Sequence, residues 1–278
     1  MFGLILTLAA TLFHEIGTSI GKTEVRDHKE SIYTMGFLSL LWGTIILFAL
    51  AFIKQEFYFN PESLPTFGIR AILEIAQMHI GILAAVRAER SAVGFIMVGT
   101  IPIILAIDVI LGYEIAVTQI AGIVIIVCAL LFLLLNHGIR TKGLGYILFI
   151  TVNAAATISL YKYDITHFKN SVEAEQGIIL LILMAYFFIM ALFVARENPV
   201  RLLRQPIFFL QSFSMGASTV LVSFAYLFAP ASVITTAKRS FAVVWAILSG
   251  NIYFHEKHIL VKIISFILIA VGLVFLVV

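Results

Sequence analysis

Long apolar runs fill most of this chain, and only short polar breaks separate them. One helical crossing of a lipid bilayer needs about 20 apolar residues. Runs such as residues 120–135 are apolar on every side, whereas the strands of a membrane barrel alternate apolar and polar side chains. The pattern therefore predicts an all-α membrane protein with ten transmembrane helices: Phe2 to Ile20, Ile32 to Ile53, Leu64 to Ala85, Val93 to Leu111, Ile115 to Leu135, Gly143 to Leu160, Gly177 to Ala195, Ile207 to Phe228, Ala231 to Ile252 and Ile259 to Val278.

The predicted helices fall into two groups of five, residues 1–135 and residues 143–278, joined by a polar link. A short link precedes predicted helices 4 and 9, and Glu114 and Glu256 follow those helices at matching places. Because five is an odd number, the second group must enter the membrane in the opposite sense to the first. We therefore expect two inverted five-helix repeats in one integrated transmembrane domain, with substrate bound between the halves, as in many secondary transporters.

The composition agrees with a membrane protein, since 62% of the residues are hydrophobic and only 12% are charged. A soluble domain has about a quarter charged residues, so that class is excluded. The net charge of +3 is spread over several links and is not gathered in one patch. This distribution argues against a nucleic-acid partner.

Lysine and arginine are concentrated in the links that follow predicted helices 1, 3, 5, 7 and 9. The positive-inside rule places these links in the cytoplasm and therefore both termini outside. The first helix lacks the basic start of a signal peptide and carries His14 and Glu15, so we expect it to be retained. No Asn-x-Ser/Thr glycosylation site occurs, which suits a bacterial plasma membrane.

Motifs for catalysis or metal binding are absent from the sequence. The single cysteine, Cys128, excludes an intrachain disulfide and a cysteine-based zinc site. The HExxH, GxGxxG and P-loop motifs do not occur, and the links are too short for an enzyme domain. We therefore predict no catalytic residues, no cofactor and no metal.

Residues 229–276 resemble the penultimate helix, its exit and the last helix of the drug/metabolite transporter superfamily, and within it the EamA-type proteins. The exit runs from Gly250 to Glu256, and residues 91–132 repeat the pattern less closely, with Glu114 at the corresponding place. The resemblance extends over essentially the whole chain. It implies ten helices, two repeats and transport of a small molecule.

The Lys238–Arg239 pair of predicted helix 9 is the main candidate for substrate contact. Both residues lie about 10–12 Å along the helix from its start, near the bilayer centre, so they need a watery cavity or a counter-charge. Arg239 offers a bidentate fork and Lys238 a point charge for a carboxylate or phosphate. The pair also resembles the Lys-Arg pair that binds phosphate in plastid sugar-phosphate and nucleotide-sugar translocators. The structural alternative is an ion pair with Glu15, Glu74 or Asp108.

Glu15 and His14 of predicted helix 1 are candidates for both substrate binding and proton coupling. Glu15 shares a polar stripe with Thr11, Thr18 and Ser19. A desolvated carboxylate takes up a proton near neutrality, and histidine titrates in the same range. The helix is similar to the first helix of small multidrug resistance proteins, whose membrane-embedded glutamate, here Glu15, exchanges protons for cationic drugs. Alternatively, Glu15 only neutralises a cation of helix 9.

Further polar residues complete the predicted site. Arg70 and Glu74 are four residues apart, which favours a salt bridge within helix 3, and Glu74 is also a proton-coupling candidate. Asn153 of helix 6 and Gln211 of helix 8 belong to polar stripes that suit hydroxyl-bearing solutes or join helices to one another. Asp108, near the end of predicted helix 4, favours a loop-anchoring or interface role.

These observations predict a secondary transporter that moves a small polar metabolite with an anionic group by alternating access. Its partners are then the solute, the lipid bilayer and a coupling proton or counter-substrate. Two other functions stay open: a proton-coupled exporter of cationic or amphipathic compounds that uses Glu15, and a non-transporting membrane receptor or assembly subunit.

Overall fold

The structure, a computed structural model, describes residues 2–277 except 56, 111–116, 137–142, 226–227, 229–230 and 256–257; a few further side chains, including that of Asp108, are also outside the described part. The described residues form twelve α-helices, a 3₁₀ turn at Pro61–Ser63 and a π-helical turn at Ala191–Ala195. The α-helices are α1 (Phe2–Arg26), α2 (Ile32–Lys54), α3 (Leu64–Arg87), α4 (Arg90–Met97), α5 (Thr100–Ile110), α6 (Val117–Leu135), α7 (Leu144–His167), α8 (Val172–Met190), α9 (Pro199–Leu202), α10 (Pro206–Ala225), α11 (Ala231–Ile252) and α12 (Ile259–Val277).

Five of the described helical segments are long and apolar enough to cross a membrane: Phe2–Arg26, Ile32–Lys54, Pro61–Arg87, Leu144–Ile165 and Val172–Ala195. Four shorter segments are also apolar: Arg90–Ile104, Ile120–Leu133, Pro206–Val222 and Ile259–Gly272. The prediction of an all-helical membrane protein is thus confirmed, and the count of ten crossings stays a prediction.

Predicted helix 4 was expected to be continuous, and the structure corrects this to two helices, α4 and α5, with a break at Val98 and Gly99. In the break, the amides of Val98 and Gly99 donate to the carbonyls of Phe95 and Ile96, three residues earlier. Pro102 has no amide hydrogen to donate to the Val98 carbonyl and sits in the first turn of α5, where proline is tolerated. The break therefore follows from Gly99 and Pro102 together.

Hydrogen-bonding caps explain where several helices begin. Ser31 accepts a hydrogen bond from the amide of Thr34 at the start of α2, and Ser171 accepts one from the amide of Ala174 at the start of α8. Because of the second cap, α8 begins earlier than the predicted start at Gly177. The helices match the predicted spans closely elsewhere, apart from α1 and α7, which continue to Arg26 and His167.

Packing joins the first half of the chain to the second throughout. Helix α1 packs against α10 and α11, α3 against α7, and α6 against α12. Helix α2 packs between α8 and α10, while α4 packs against α11 and α5 against α7. One apolar core has Phe95 and Ile126 at its centre, and a second has Leu38 and Phe187. The core of the molecule is therefore shared between the halves.

Gly216 allows α2 and α10 to approach closely. A Cβ atom at Gly216 would lie 2.3 Å from the Cβ of Trp42 and 2.9 Å from the backbone nitrogen of Gly43. We expect Gly216→Ala to lower the free energy of unfolding by about 1–3 kcal/mol, because neither contact can move without shifting α2. Thermal and denaturant unfolding in detergent check this value. Gly145→Ala is the control, since no heavy atom lies within 4 Å of its added Cβ, and it should be neutral or stabilising; equal losses for the two variants would contradict the prediction.

Candidate functional site

Lys238 and Arg239 lie side by side in α11 and are both partly exposed. Lys238 is within electrostatic range of Glu74 from α3 as well as of Arg239. Glu74 in turn accepts a hydrogen bond from Thr157 of α7. The structure therefore brings three predicted site residues together between α3, α7 and α11.

His14 from α1 joins the same group, since it lies within electrostatic range of Lys238 and Arg239. Its side chain is exposed, although Thr11 and Thr18, one turn away on the same side of α1, are buried. The lipid-facing side of this helix is a different one, marked by exposed leucines at positions 4, 8 and 12. His14 therefore lies on a different side of α1 from the exposed leucines.

Glu15 is held by donors from three helices. Arg90, the first residue of α4, binds both of its carboxylate oxygens, with Nε–Oε1 3.0 Å and Nη2–Oε2 2.6 Å. Ser249 of α11 donates to Oε1 at 2.5 Å, and Ser19 donates to the same oxygen at 3.1 Å. The cation that neutralises Glu15 is thus Arg90, which the sequence pattern had assigned to a cytoplasmic link, and not a residue of α11.

Beyond Glu15, the C-terminal part of α1 makes further polar contacts through Lys22. Lys22, also counted among the link cations, is buried, donates to the carbonyl of Ala88 at 2.5 Å and lies 4.7 Å from the ring centre of Phe254. Nearby, Lys262 of α12 is 3.9 Å from Glu89. We name Glu15, Arg90, Lys22, Ser249 and their partners the α1–α4–α11 cluster.

A second buried group of charges surrounds Arg70 near the start of α3. Arg70 is 1% exposed, and its Nη1 donates to Glu175 Oε1 at 2.7 Å. Its Nη2 donates to Gln176, and its guanidinium lies 4.5 Å from the ring centre of Tyr161. The expected bridge within α3 is present but longer, with 3.7 Å between Arg70 Nε and Glu74 Oε1.

Glu175 was missed by the sequence analysis. It lies in the first turn of α8, and its second oxygen accepts a hydrogen bond from Asn170, which also donates to Ser63. The available signal was an acidic residue in the first turn of a strongly apolar helix. The sequence analysis ended predicted helix 6 too early and began predicted helix 7 too late, so Glu175 was assigned to the link between them. We name Arg70, Glu175, Asn170 and their contacts the α3–α8 cluster.

Asn153 and Gln211 are placed differently from Lys238. The amide nitrogen of Asn153 donates to the carbonyl of Leu73 and to Gln77, which joins α7 to α3. Gln211 is fully buried and donates to Glu30, in the link between α1 and α2. In both cases the described contacts join structural elements, which was one of the two alternatives that the sequence left open.

Glu114 and Glu256 lie outside the described part of the structure, and so does the side chain of Asp108. Within the described residues, no group of three or more histidine, cysteine or acidic side chains is arranged to hold a metal ion. The described contacts at the candidate site are charge pairs and hydrogen bonds.

The comparison with protein families agrees with this geometry. The model of the EamA-like transporter family matches residues 1–135, and no curated protein matches the chain. The matched half contributes α1 to α6, including His14, Glu15, Glu74 and Arg90 of the candidate site. Residues 1–135 of this membrane protein are thus similar to the EamA-like transporter family, which is part of the drug/metabolite transporter superfamily.

Proposed function

We propose that the chain is a secondary transporter that moves a small polar metabolite with an anionic group by alternating access. The observation that carries this proposal is the adjacent pair Lys238 and Arg239, which lies within electrostatic range of His14, with Glu74 close to Lys238. Two neighbouring cations repel each other, and a bound carboxylate or phosphate relieves that repulsion. His14 and Glu74 complete the proposed substrate site, with Asn153 and Gln211 as more distant candidates.

Helix packing supports the ten-crossing plan with two inverted repeats. If α1, α2 and α3 correspond to α7, α8 and α10, then the contact of α1 with α10 corresponds to that of α7 with α3. The links agree with this relation. His28 and Lys169, which follow α1 and α7, both have φ of 58°, while Gln55 and Arg196, which follow α2 and α8, have φ of 56° and 57°. His28 and Lys169 are separated by the same number of positions in the sequence as Gln55 and Arg196.

Alternating access requires contacts that open at one end while they close at the other. The α1–α4–α11 and α3–α8 clusters fit this need, since the contacts of Glu15 with Ser249 and of Arg70 with Glu175 join residues 1–135 to residues 143–278. Arg70 lies near the start of α3 and Arg90 lies just after its end, and a helix of about 20 residues spans roughly 30 Å, the bilayer core. We therefore assign the two clusters to the two membrane faces, with the Arg90 end in the cytoplasm and both termini outside, in a bacterial plasma membrane.

Proton-coupled efflux of cationic compounds is the second candidate, and the contact of His14 with Glu15 favours it. In this case a cationic substrate must displace Arg90, because Arg90 occupies both oxygens of Glu15. The third candidate, a receptor or assembly subunit, predicts no solute flux.

Solute counterflow in proteoliposomes tests these functions, with a panel of amino acids, organic acids, sugar phosphates and cationic dyes. We expect exchange of anionic or zwitterionic solutes, and a loss of about tenfold to a hundredfold in K238A/R239A, since a hydrogen bond to a charged group contributes about 1.5–3 kcal/mol. The matched control is R201A/R204A, which removes two exposed arginines from the link before α10. Exchange of cations alone, undiminished in K238A/R239A, would favour the efflux proposal instead.

A further inference from the structure

Glu30 is a buried carboxylate that neither charge cluster uses. It lies in the link between α1 and α2, outside the membrane-spanning helices, and is only 3% exposed. Its Oε1 accepts a hydrogen bond from Gln211 Nε2 of α10 at 2.9 Å. Glycine at position 21 makes this contact possible, because a Cβ there would lie 2.9 Å from Gln211 Nε2.

The Glu30–Gln211 pair lacks one hydrogen-bond donor. Glu30 Oε2 and Gln211 Oε1 are both buried, and neither has a hydrogen-bond partner among the described residues. Both atoms are acceptors when Glu30 is ionised, so the ionised pair leaves two buried acceptors unsatisfied. A proton on Oε2 supplies the missing donor and removes a buried negative charge.

The charged groups around Glu30 also favour a neutral carboxyl group. Glu24 faces it from α1 and Glu197 from the link after α8, while α10 contributes the uncharged Gln211. The neighbouring cation, Lys29, is exposed and pairs with Glu24 at 3.2 Å and with Asp27 at 3.9 Å. Glu197 is occupied by α2, since it accepts hydrogen bonds from the Ser31 amide and the Thr34 hydroxyl.

We propose that Glu30 and Gln211 form a proton-binding site that couples proton movement to the transport cycle. The proton comes from water, forms an O–H bond at Oε2 of Glu30 and leaves by the reverse step, so that the carboxyl group alternates between neutral and charged. The neutral form keeps the α1–α2 link packed against α10. The charged form repels Glu24 and Glu197 and weakens this packing. Helix α1 carries His14 and packs against both α10 and α11. It therefore connects the Glu30 site to the proposed substrate site. The coupling, though not the proton site, rests on the proposed transport function.

The titration of Glu30 agrees with this geometry. Burial, aided by the charges of Glu24 and Glu197, raises the pKa of Glu30 to about 8, while the hydrogen bond from Gln211 lowers it in part. Because this pKa is above that of an unfolded chain, the folded protein keeps a proton that the unfolded chain releases. The resulting stability is complete below the ordinary carboxyl pKa and is lost as the pH rises towards 8.

The proton site is tested by infrared titration of the purified full-length protein, without reference to transport. We expect a carboxylic acid C=O band that disappears with a midpoint near pH 8 in the wild type and is missing in E30Q. Q211M is expected to shift the band, because it removes the donor to Oε1. E62Q, a change of an exposed glutamate in the link between α2 and α3, is expected to leave the band unchanged. A spectrum that E30Q does not alter overturns the proposal.

Coupling is tested in proteoliposomes with an imposed pH gradient. One proton moved per solute gives up to about tenfold accumulation for each pH unit. We expect E30Q to keep counterflow but to lose accumulation, and E62Q to keep both. If E30Q accumulates solute as well as the wild type does, the coupling proposal is overturned. If a sodium gradient at constant pH drives accumulation and E30Q loses it, the coupling ion is sodium and not the proton. Absence of counterflow in the wild type refutes the transport function, whereas the infrared result still decides the proton site.

Discussion

Replacing Arg90 with methionine is expected to lower the free energy of unfolding by about 3–5 kcal/mol. Arg90 is 4% exposed and binds both oxygens of Glu15, which is itself 8% exposed. Without Arg90, the Glu15 carboxylate stays buried with only hydroxyl donors from Ser19 and Ser249. The loss therefore comes mainly from an uncompensated buried charge, and unfolding in detergent or bicelles measures it.

A double-mutant cycle separates the ion pair from lost packing. Glu15→Gln combined with Arg90→Met should recover most of the loss, because no buried charge is then left unpaired. Arg26→Met is the control for loss of a cation at the same end of α1; its pair with Asp27 is exposed, and it should cost at most about 1 kcal/mol. A double variant as unstable as Arg90→Met alone would contradict the role of the pair.

The Glu15→Gln variant also discriminates between the proposed functions. Proton-coupled efflux through Glu15 requires this change to abolish transport. Anion transport by Lys238 and Arg239 requires exchange of anionic solutes to remain, since the described ion pair of Glu15 is with Arg90. Counterflow of one anionic solute and one cationic dye by the same preparation distinguishes the two results.

Arg70→Met is expected to lower the free energy of unfolding by about 3–5 kcal/mol as well. Arg70 is the cation for Glu175, which is fully buried, and it also lies 3.7 Å from Glu74. Its removal leaves one fully buried carboxylate with only the hydrogen bond from Asn170. We expect a lower melting temperature in detergent and partial recovery when Glu175→Gln is added.

Lys54→Met is the matched control for Arg70→Met. It breaks the pair of Lys54 with Glu173, which joins α2 to the same first turn of α8 at 2.8 Å. The Lys54 side chain is 35% exposed, so the pair contributes at most about 1 kcal/mol. If the two variants lost the same stability, burial would not be the cause of the larger effect.

The two buried ion pairs and the Glu30 site have one feature in common. Each contacts the second half of the chain: Arg70 binds Glu175 of α8, Glu30 accepts a hydrogen bond from Gln211 of α10, and Glu15, whose partner Arg90 is also in the first half, accepts one from Ser249 of α11. Polar contacts of this kind depend on exact helix positions, whereas apolar contacts tolerate small shifts. We therefore expect substitutions at these three places to alter the balance between transporter conformations as well as stability.

Most helices could be predicted from the sequence because the lipid environment leaves few alternatives. Backbone groups in a bilayer must be satisfied within the segment, so an apolar run of bilayer length forms a helix. The predicted span Ala231 to Ile252 agrees with α11 at both ends. Pro102 and Gly99 carried a signal for the break between α4 and α5, but the uniform apolarity of residues 101–107 concealed it.

By itself, the sequence determined that the protein is an all-helical membrane protein, and it placed Lys238 and Arg239 next to each other within one helix. It also predicted the contact of Arg70 with Glu74, because residues four apart in a helix are always neighbours. Only the tertiary structure decided that Glu15 pairs with Arg90 and that Arg70 pairs mainly with Glu175. The physical reason is that the partner of a buried charge is set by which helices pack together, and helical periodicity describes one helix at a time.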